Sequence, residues 1–298
     1  MLEAVERKIE QYIADLNEKD ISNIIAQIPA GKRLRARLMF EIAGNSLEVI
    51  KAAAIVEMIH AASLLHDDVI DNANIRRGKS SINAVYGNKS AIMIGDILYS
   101  KAFYELLDLY KPIAKVISNA VTQLSIGERK DVYLSEKFNA NEDLYKDMIY
   151  QKTAVLIEAA SEAAAIIAKK PREIYKQYGK NLGLAFQMID DILDIISDEK
   201  TLGKPALSDF KEGKTTLPYI YLYQVLNDKD RQKLVSMHKK ELKESEQKWI
   251  LDKFNEYNII QKAKDEALSL VKEAIKLMQD AGEKGLEEIA MKMVDRSF

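Results

Sequence analysis

Apolar side chains recur at helical spacing along almost the whole chain. Residues 1–19 place Val5, Ile9, Tyr12, Ile13 and Leu16 on one side, the spacing of an amphipathic helix. Pro29-Ala30-Gly31 breaks the pattern ahead of a basic stretch, Lys32-Arg33-Leu34-Arg35-Ala36-Arg37, that leads a helix. A helix apolar nearly all round is predicted over about 47–71, followed by an Asn/Gly/Lys-rich loop from Asn72 to Ser81. Further helices are predicted over 90–109, 112–135, 142–168, 171–197, 215–227, 229–240, 244–255 and 258–279. The longest later connection runs from Asp198 to Thr215. No linker tract, low-complexity segment or fixed-period repeat interrupts the series. The pattern predicts a single all-α domain over 1–298, with buried helices surrounded by amphipathic ones.

Composition narrows the class. Gly 12 and Pro 5 among 298 residues are too few for a turn-rich sandwich or barrel. A chain 47% hydrophobic and 30% charged is not disordered. Lys+Arg 44 against Asp+Glu 46 leaves a net charge of -2, which does not suit a general nucleic-acid binder. With Cys at 0, disulfides, zinc-thiolate sites and thiol catalysis are excluded. The first residues carry Glu3, Glu6, Glu10 and Asp15 and no apolar signal core. The most apolar run, Ala52 to Leu65, is interrupted by Glu57 and His60, so no uninterrupted membrane span of ~18 residues is present. A cytoplasmic location without integral membrane association is expected.

Two matching acidic motifs carry the chemistry. Asp67-Asp68-Val69-Ile70-Asp71 and Asp190-Asp191-Ile192-Leu193-Asp194 both read DDxxD. On a wheel of ~100° per residue, His60, Ser63, Leu64, Asp67 and Asp71 form one stripe, with Glu57 at its edge. The second helix repeats the plan with Gln187, Asp190, Asp191 and Asp194 on one face. Carboxylates crowded onto apolar helices repel one another and resist burial, so cations are expected between them. Oxygen-only ligation without His or Cys points to Mg²⁺, which takes remaining ligands from water and substrate phosphate. Basic clusters suited to phosphate occur at Lys32-Arg33-Leu34-Arg35, at Arg76-Arg77-Gly78, at Lys152-Thr153, and at Lys204 and Lys214 flanking Asp209.

The segments GKRLRARL (31–38), IHAASLLHDDVIDNANIRRG (59–78), GD (95–96), GE (127–128), QKTAVL (151–156), FQMIDDILDI (186–195) and LGKPALSDFKEGKTTLP (202–218) stand in one order. With them the chain resembles the trans-type isoprenyl (polyprenyl) diphosphate synthases, in their longer-chain branch. Ala30 and Ala36 depart from that family's usual Gly and Pro and leave the charged positions intact. The resemblance implies an all-α helical bundle around a central cavity, and a homodimer. It implies that Asp67, Asp68, Asp71, Asp190, Asp191 and Asp194 bind Mg²⁺, roughly two or three ions, that grip an allylic diphosphate. It assigns Lys32, Arg35, His60 and Arg77 to the isopentenyl diphosphate pocket. Arg76, Lys152, Thr153, Gln187, Lys204 and Lys214 fall around the allylic diphosphate, with Lys152 and Lys204 also expected in catalysis. Pyrophosphate leaves, the isopentenyl double bond attacks the allylic cation, and a proton is lost, with pyrophosphate itself a plausible base.

Family members set product length partly through the residues four and five before the first motif, here Ser63 and Ala62. Both are small, so an all-trans product of roughly C30–C40 is expected, suited to a quinone side chain. The tunnel floor is expected among Phe40, Phe103 and Tyr104 or on the 112–135 helix. Farnesyl or geranylgeranyl diphosphate synthesis is the alternative. A terpene cyclase lacks a second DDxxD, a di-iron bundle needs a second ExxH besides Glu57-Met58-Ile59-His60, and a silent partner subunit loses acidic residues kept here. His66 is expected to support its neighbours, and His238, in a charged late helix, to be exposed.

Overall fold

The computed structural model describes residues 1–196, 207–283 and 285–294. Helices account for most of these residues. Its first helices are α1 (Leu2–Ala14), α2 (Lys19–Ile25), α3 (Leu34–Ala43) and α4 (Leu47–Ile70). A short hairpin follows, β1 (Ile75–Arg76) and β2 (Lys79–Ser80). Next come α5 (Ile82–Tyr86), α6 (Asn88–Leu106), α7 (Lys111–Leu134), α8 (Glu142–Ile149), a π-helical segment (Tyr150–Ala154), α9 (Val155–Ile167) and α10 (Arg172–Ile196). The last are α11 (Ser208–Lys211), α12 (Leu217–Val225), α13 (Asp228–Met237), α14 (Glu244–Glu256), α15 (Ile259–Asp280) and α16 (Leu286–Val294).

Residues group into two compact units. The first holds residues 1–122, 156–179 and 281–289. Its centre is α4, packed on α6 along its length and on α1 and α3. Val49, Ala52, Ala53, Ala54, Ile55, Val56, Met58, Ile59, Ala62 and Leu65 are buried on α4. Each large aliphatic among them contributes about 1.5–3 kcal/mol. By length and composition α4 could cross a membrane, but 61% of its apolar window is buried inside the protein. Ser46 caps its start, the side chain accepting from Val49 N–H. The buried Glu57 carboxylate accepts from the Ala36 N–H at 3.1 Å and faces Arg33 at 3.4 Å, and Arg33 also pairs with Glu6 at 2.6 Å. Glu57 is thereby engaged in tying α3 to α4. Among the described residues no group of three His, Cys, Asp or Glu is placed to hold a metal ion by itself.

The second unit holds residues 123–155, 180–280 and the chain from 290 onward. In it α12 packs on α8, α14 and α15. An aromatic cluster of Phe138, Phe210, Tyr219 and Phe254 lies at its core, Phe210 stacked on Tyr219 with centroids 4.2 Å apart.

Four local features depart from the expected pattern. The first helix stops at Ala14, because Asn17 takes a left-handed turn (φ 55) before α2 begins. The loop after α4 contains a hairpin whose two-residue turn, Arg77-Gly78, has positive φ at both positions (53 and 72), the type I′ geometry that Gly favours. The 142–168 stretch is two helices joined by the π-helical turn at Tyr150–Ala154. A last helix, α16, was absent from the pattern.

Two close approaches seat that π turn. A Cβ on Gly127 of α7 would lie 2.2 Å from the Lys152 nitrogen, and one on Gly183 of α10 would lie 2.4 Å from the Ala154 Cα. Since backbone atoms cannot step aside cheaply, Gly183→Ala should destabilise the protein by about 1–3 kcal/mol. Urea unfolding followed by circular dichroism checks this; an unchanged midpoint would refute the close packing.

Candidate active site

In the first unit, Asp67, Asp68 and Asp71 occupy the C-terminal end of α4, Asp71 being its cap. Asp68 is buried and receives Arg76 Nε at 2.5 Å. Burial pushes its carboxyl above the usual carboxylate range, and Arg76 opposes that shift. Asn83, also buried, donates to the carbonyls of Asp68 and Ala73 at 3.2 and 3.0 Å. Ser81 donates to Ala73 O at 2.7 Å, so the carbonyls that end the helix find partners. Asp67 and Asp71 remain partly open to solvent.

The basic residues of this unit surround His60. Burial, and then the charges of Arg35, Arg77, Arg33 and Arg76, hold the imidazole well below the usual histidine range. It is therefore a neutral group in a strongly positive neighbourhood. Arg77 donates to Pro29 O at 2.8 Å, and a Cβ on Gly31 would meet its guanidinium at 2.8 Å. The Arg77 guanidinium thus packs closely over Gly31. Arg33, part of the basic cluster expected at phosphate, is paired instead with Glu6 and Glu57. Lys32 is exposed and Arg35 half-buried. Ser63 donates to His60 O at 3.0 Å, while Ala62 is wholly buried. His66 packs on α6, its Nε2 3.2 Å from Ile92 O and 3.4 Å from Asp96. A Cβ on Gly95 would strike it at 2.3 Å, which explains the Gly95-Asp96 pair. Phe40 is buried, and Phe103 and Tyr104 are exposed.

In the second unit, Asp190, Asp191 and Asp194 lie in the last two turns of α10. Asp191 is held on both oxygens. The buried Tyr145 hydroxyl donates to Oδ2 at 2.6 Å, and Gln187 Nε2 donates to Oδ1 at 2.8 Å. Thr153 donates to Gln187 Oε1 at 2.7 Å, so α8, the π turn and α10 share one hydrogen-bonded chain. Burial drives the Asp191 carboxyl well above its usual range, and the nearby charges of Asp209 and Asp190 push the same way. Asp194 is buried and accepts the Asp209 N–H at 3.1 Å. Lys152 sits between Glu128 at 2.9 Å and Asp131 at 2.5 Å. Asp131, Tyr145, Lys152, Thr153, Gln187, Asp191, Asp209 and Lys214 line a pocket of ≈ 120 Å³.

Of the sequence-selected residues of the second unit, Lys152, Thr153, Gln187, Asp191 and Lys214 share one pocket, while Asp190 and Asp194 are not among its lining residues. Lys204 lies outside the described residues. Arg76, expected beside the allylic diphosphate, is engaged with Asp68. Three supporting residues escaped the sequence. Tyr145 gave no signal, since a tyrosine at a helical apolar position reads as core. Glu128 stood in the quoted Gly-Glu pair, and Asp131 lies one turn on. The expected exposure of His238 is wrong. It is buried, its Nε2 lies 2.6 Å from Gly213 O, and its ring meets Phe138 and Phe210 edge-on.

The family description "Polyprenyl synthetase" matches residues 18–254. The structure of an octaprenyl pyrophosphate synthase from Helicobacter pylori is 42% identical over 99% of this chain and 98% of that one, with a TM-score of 0.94. A polyprenyl synthase from Caulobacter crescentus CB15, complexed with calcium and isoprenyl diphosphate, is 30% identical over 99% of this chain and 95% of that one, with a TM-score of 0.85. Among curated relatives, a short chain isoprenyl diphosphate synthase of Methanothermobacter thermautotrophicus is 35% identical over 79% of this chain and 77% of its own length. The helical fold is the isoprenoid synthase fold of those structures. The chain belongs to the polyprenyl synthetase family and is a trans-prenyltransferase of that class.

Proposed function

We propose that this enzyme joins isopentenyl diphosphate head-to-tail to an allylic diphosphate, farnesyl or geranylgeranyl, and repeats the step to an all-trans product of roughly C30–C40. The observation that carries the reaction is the pair of carboxylate motifs at helix C-termini, each with basic side chains in its own unit. We read the chain as one catalytic domain. The similarity to an octaprenyl synthase across 99% of the chain, together with small Ala62 and Ser63, supports the longer product. The similarity to a short chain synthase keeps geranylgeranyl or farnesyl diphosphate as the second reading. A product of the longer class suits a quinone side chain. A cytoplasmic homodimer is the working form; the exposed Met93, Tyr104, Leu107 and Tyr110 on and after α6 support a partner there.

The donor set fits Mg²⁺: six carboxylates and no sulfur or imidazole. We assign the more open Asp67, Asp71 and Asp190 as direct ligands, and the buried Asp68, Asp191 and Asp194 as the groups that fix the motifs while adding to their charge. With no ready cage, water and substrate phosphate complete the ligand shell. Bound there, the ions supply charge neutralisation to the departing diphosphate. Lys152, Thr153, Gln187 and Lys214, with Lys204, receive the allylic diphosphate and stabilise the charge that develops on its bridging oxygen. Lys32, Arg35, His60 and Arg77 hold isopentenyl diphosphate, with neutral His60 as a hydrogen-bond donor. The allylic C–O bond breaks, the isopentenyl double bond supplies the electrons of the new C–C bond, and pyrophosphate takes the proton released.

Incubation with Mg²⁺, farnesyl diphosphate and labelled isopentenyl diphosphate, then chromatography of dephosphorylated products, tests the reading. The expected ladder ends at roughly C30–C40; an end at farnesyl or geranylgeranyl overturns the length, and no incorporation overturns the function. In the same assay Asp190→Asn should lower kcat by about 10²-fold or more. Ala62→Tyr should shorten the product, and an unchanged distribution removes Ala62 from length control.

A further inference from the structure

We propose that His238 is a positioning residue for the diphosphate pocket, acting through the carbonyl of Gly213 on the loop that delivers Asp209 and Lys214. The proposal rests on the reading that this pocket takes the allylic diphosphate. His238 is not among the pocket's lining side chains. It lies behind them, buried, with Nε2 2.6 Å from Gly213 O. A carbonyl only accepts, so Nε2 carries the proton and donates.

The chain is clamped twice just ahead of the point His238 holds. Asp194 of the second acidic motif receives the Leu207 N–H on its carbonyl at 2.9 Å and the Asp209 N–H on its carboxylate at 3.1 Å. Next, the Lys239 N–H donates to Phe210 O at 3.2 Å. Three residues further on Gly213 runs at φ +95, and a Cβ there would stand 2.4 Å from Ser135 O. Lys214 follows, its N–H donating to Asp209 O at 2.8 Å. The loop thus passes through a gap only glycine fits, and His238 supplies the hydrogen bond on its far side. Packing alone does not explain a histidine here: its ring meets Phe138 and Phe210 edge-on, a role a phenylalanine fills as well. What histidine adds is the donor.

His238→Phe keeps the aromatic packing and removes the donor, and His238→Gln restores an N–H at similar reach; His238→Leu is a second donor-less variant. Each is compared with wild type by thermal melt, by KM for farnesyl and isopentenyl diphosphates, and by calorimetric affinity for inorganic pyrophosphate with Mg²⁺. The donor-less variants should raise KM for the allylic substrate and weaken pyrophosphate binding about tenfold, with KM for isopentenyl diphosphate and all constants of His238→Gln within about twofold of wild type. In a Lys214→Met background the His238→Phe change should add little. A parallel rise in both KM values, a glutamine variant as impaired as phenylalanine, or full additivity with Lys214→Met overturns the proposal. Should wild type consume no isopentenyl diphosphate, the functional reading fails while the pyrophosphate titration still decides the role of His238.

Discussion

Asp67, Asp68 and Asp71 close α4, and Asp190, Asp191 and Asp194 close α10, at the ends where a helix already presents negative charge. An acid there is worth about 0.3–1 kcal/mol less than a base, and three in consecutive turns also repel one another. α4 is largely apolar, and Asp68, Asp191 and Asp194 are buried, so water relieves little of their repulsion. The fold answers within each unit. Arg76 and Asn83 meet the first cluster, and Tyr145, Gln187 and the Asp209 N–H meet the second. These partners engage the buried Asp68, Asp191 and Asp194. On the proposed reading, carboxylates crowded in this way favour binding of divalent cations.

The same economy governs the bases. Arg33 is bound by Glu6 and Glu57 and contributes to the positive field without being available for a ligand. Lys152 is held between Glu128 and Asp131, on a π turn that backbone contacts with Gly127 and Gly183 lock in place. A π turn redirects side chains relative to the α-helix that flanks it. Lys152 and Thr153 therefore reach the pocket from a stretch that would otherwise read as uninterrupted helix.

Legibility in the sequence followed the physics of each feature. Strong apolar periodicity placed α4 at 47–71 against an observed Leu47–Ile70, and α10 at 171–197 against Arg172–Ile196. The acidic motifs and the basic dipeptides were legible because like charges crowded on apolar helices have few structural uses. The π turn was not, since it arises from backbone approach by residues distant in sequence. Tyr145 was invisible because its partner lies 46 residues away. His238 was misread from its helix, which is charged. It follows the last turn of α13, where ψ 136 swings the chain out of the helix and turns the ring into the aromatic cluster.

The relatives include both a short chain synthase and an octaprenyl synthase, so membership of the family does not itself set how many times the step repeats. On the proposed reading, apolar residues set the length. On α4 the two tasks divide by face. Ser63 shares the polar stripe with His60 and Asp67, and its hydroxyl is turned back to His60 O. Ala62 points elsewhere and is wholly buried. On the proposed reading one helix carries chemistry on one side and product size on another. A change at Ala62 then alters length without touching the charges, which allows enzymes of one family to diverge in product while keeping a single reaction.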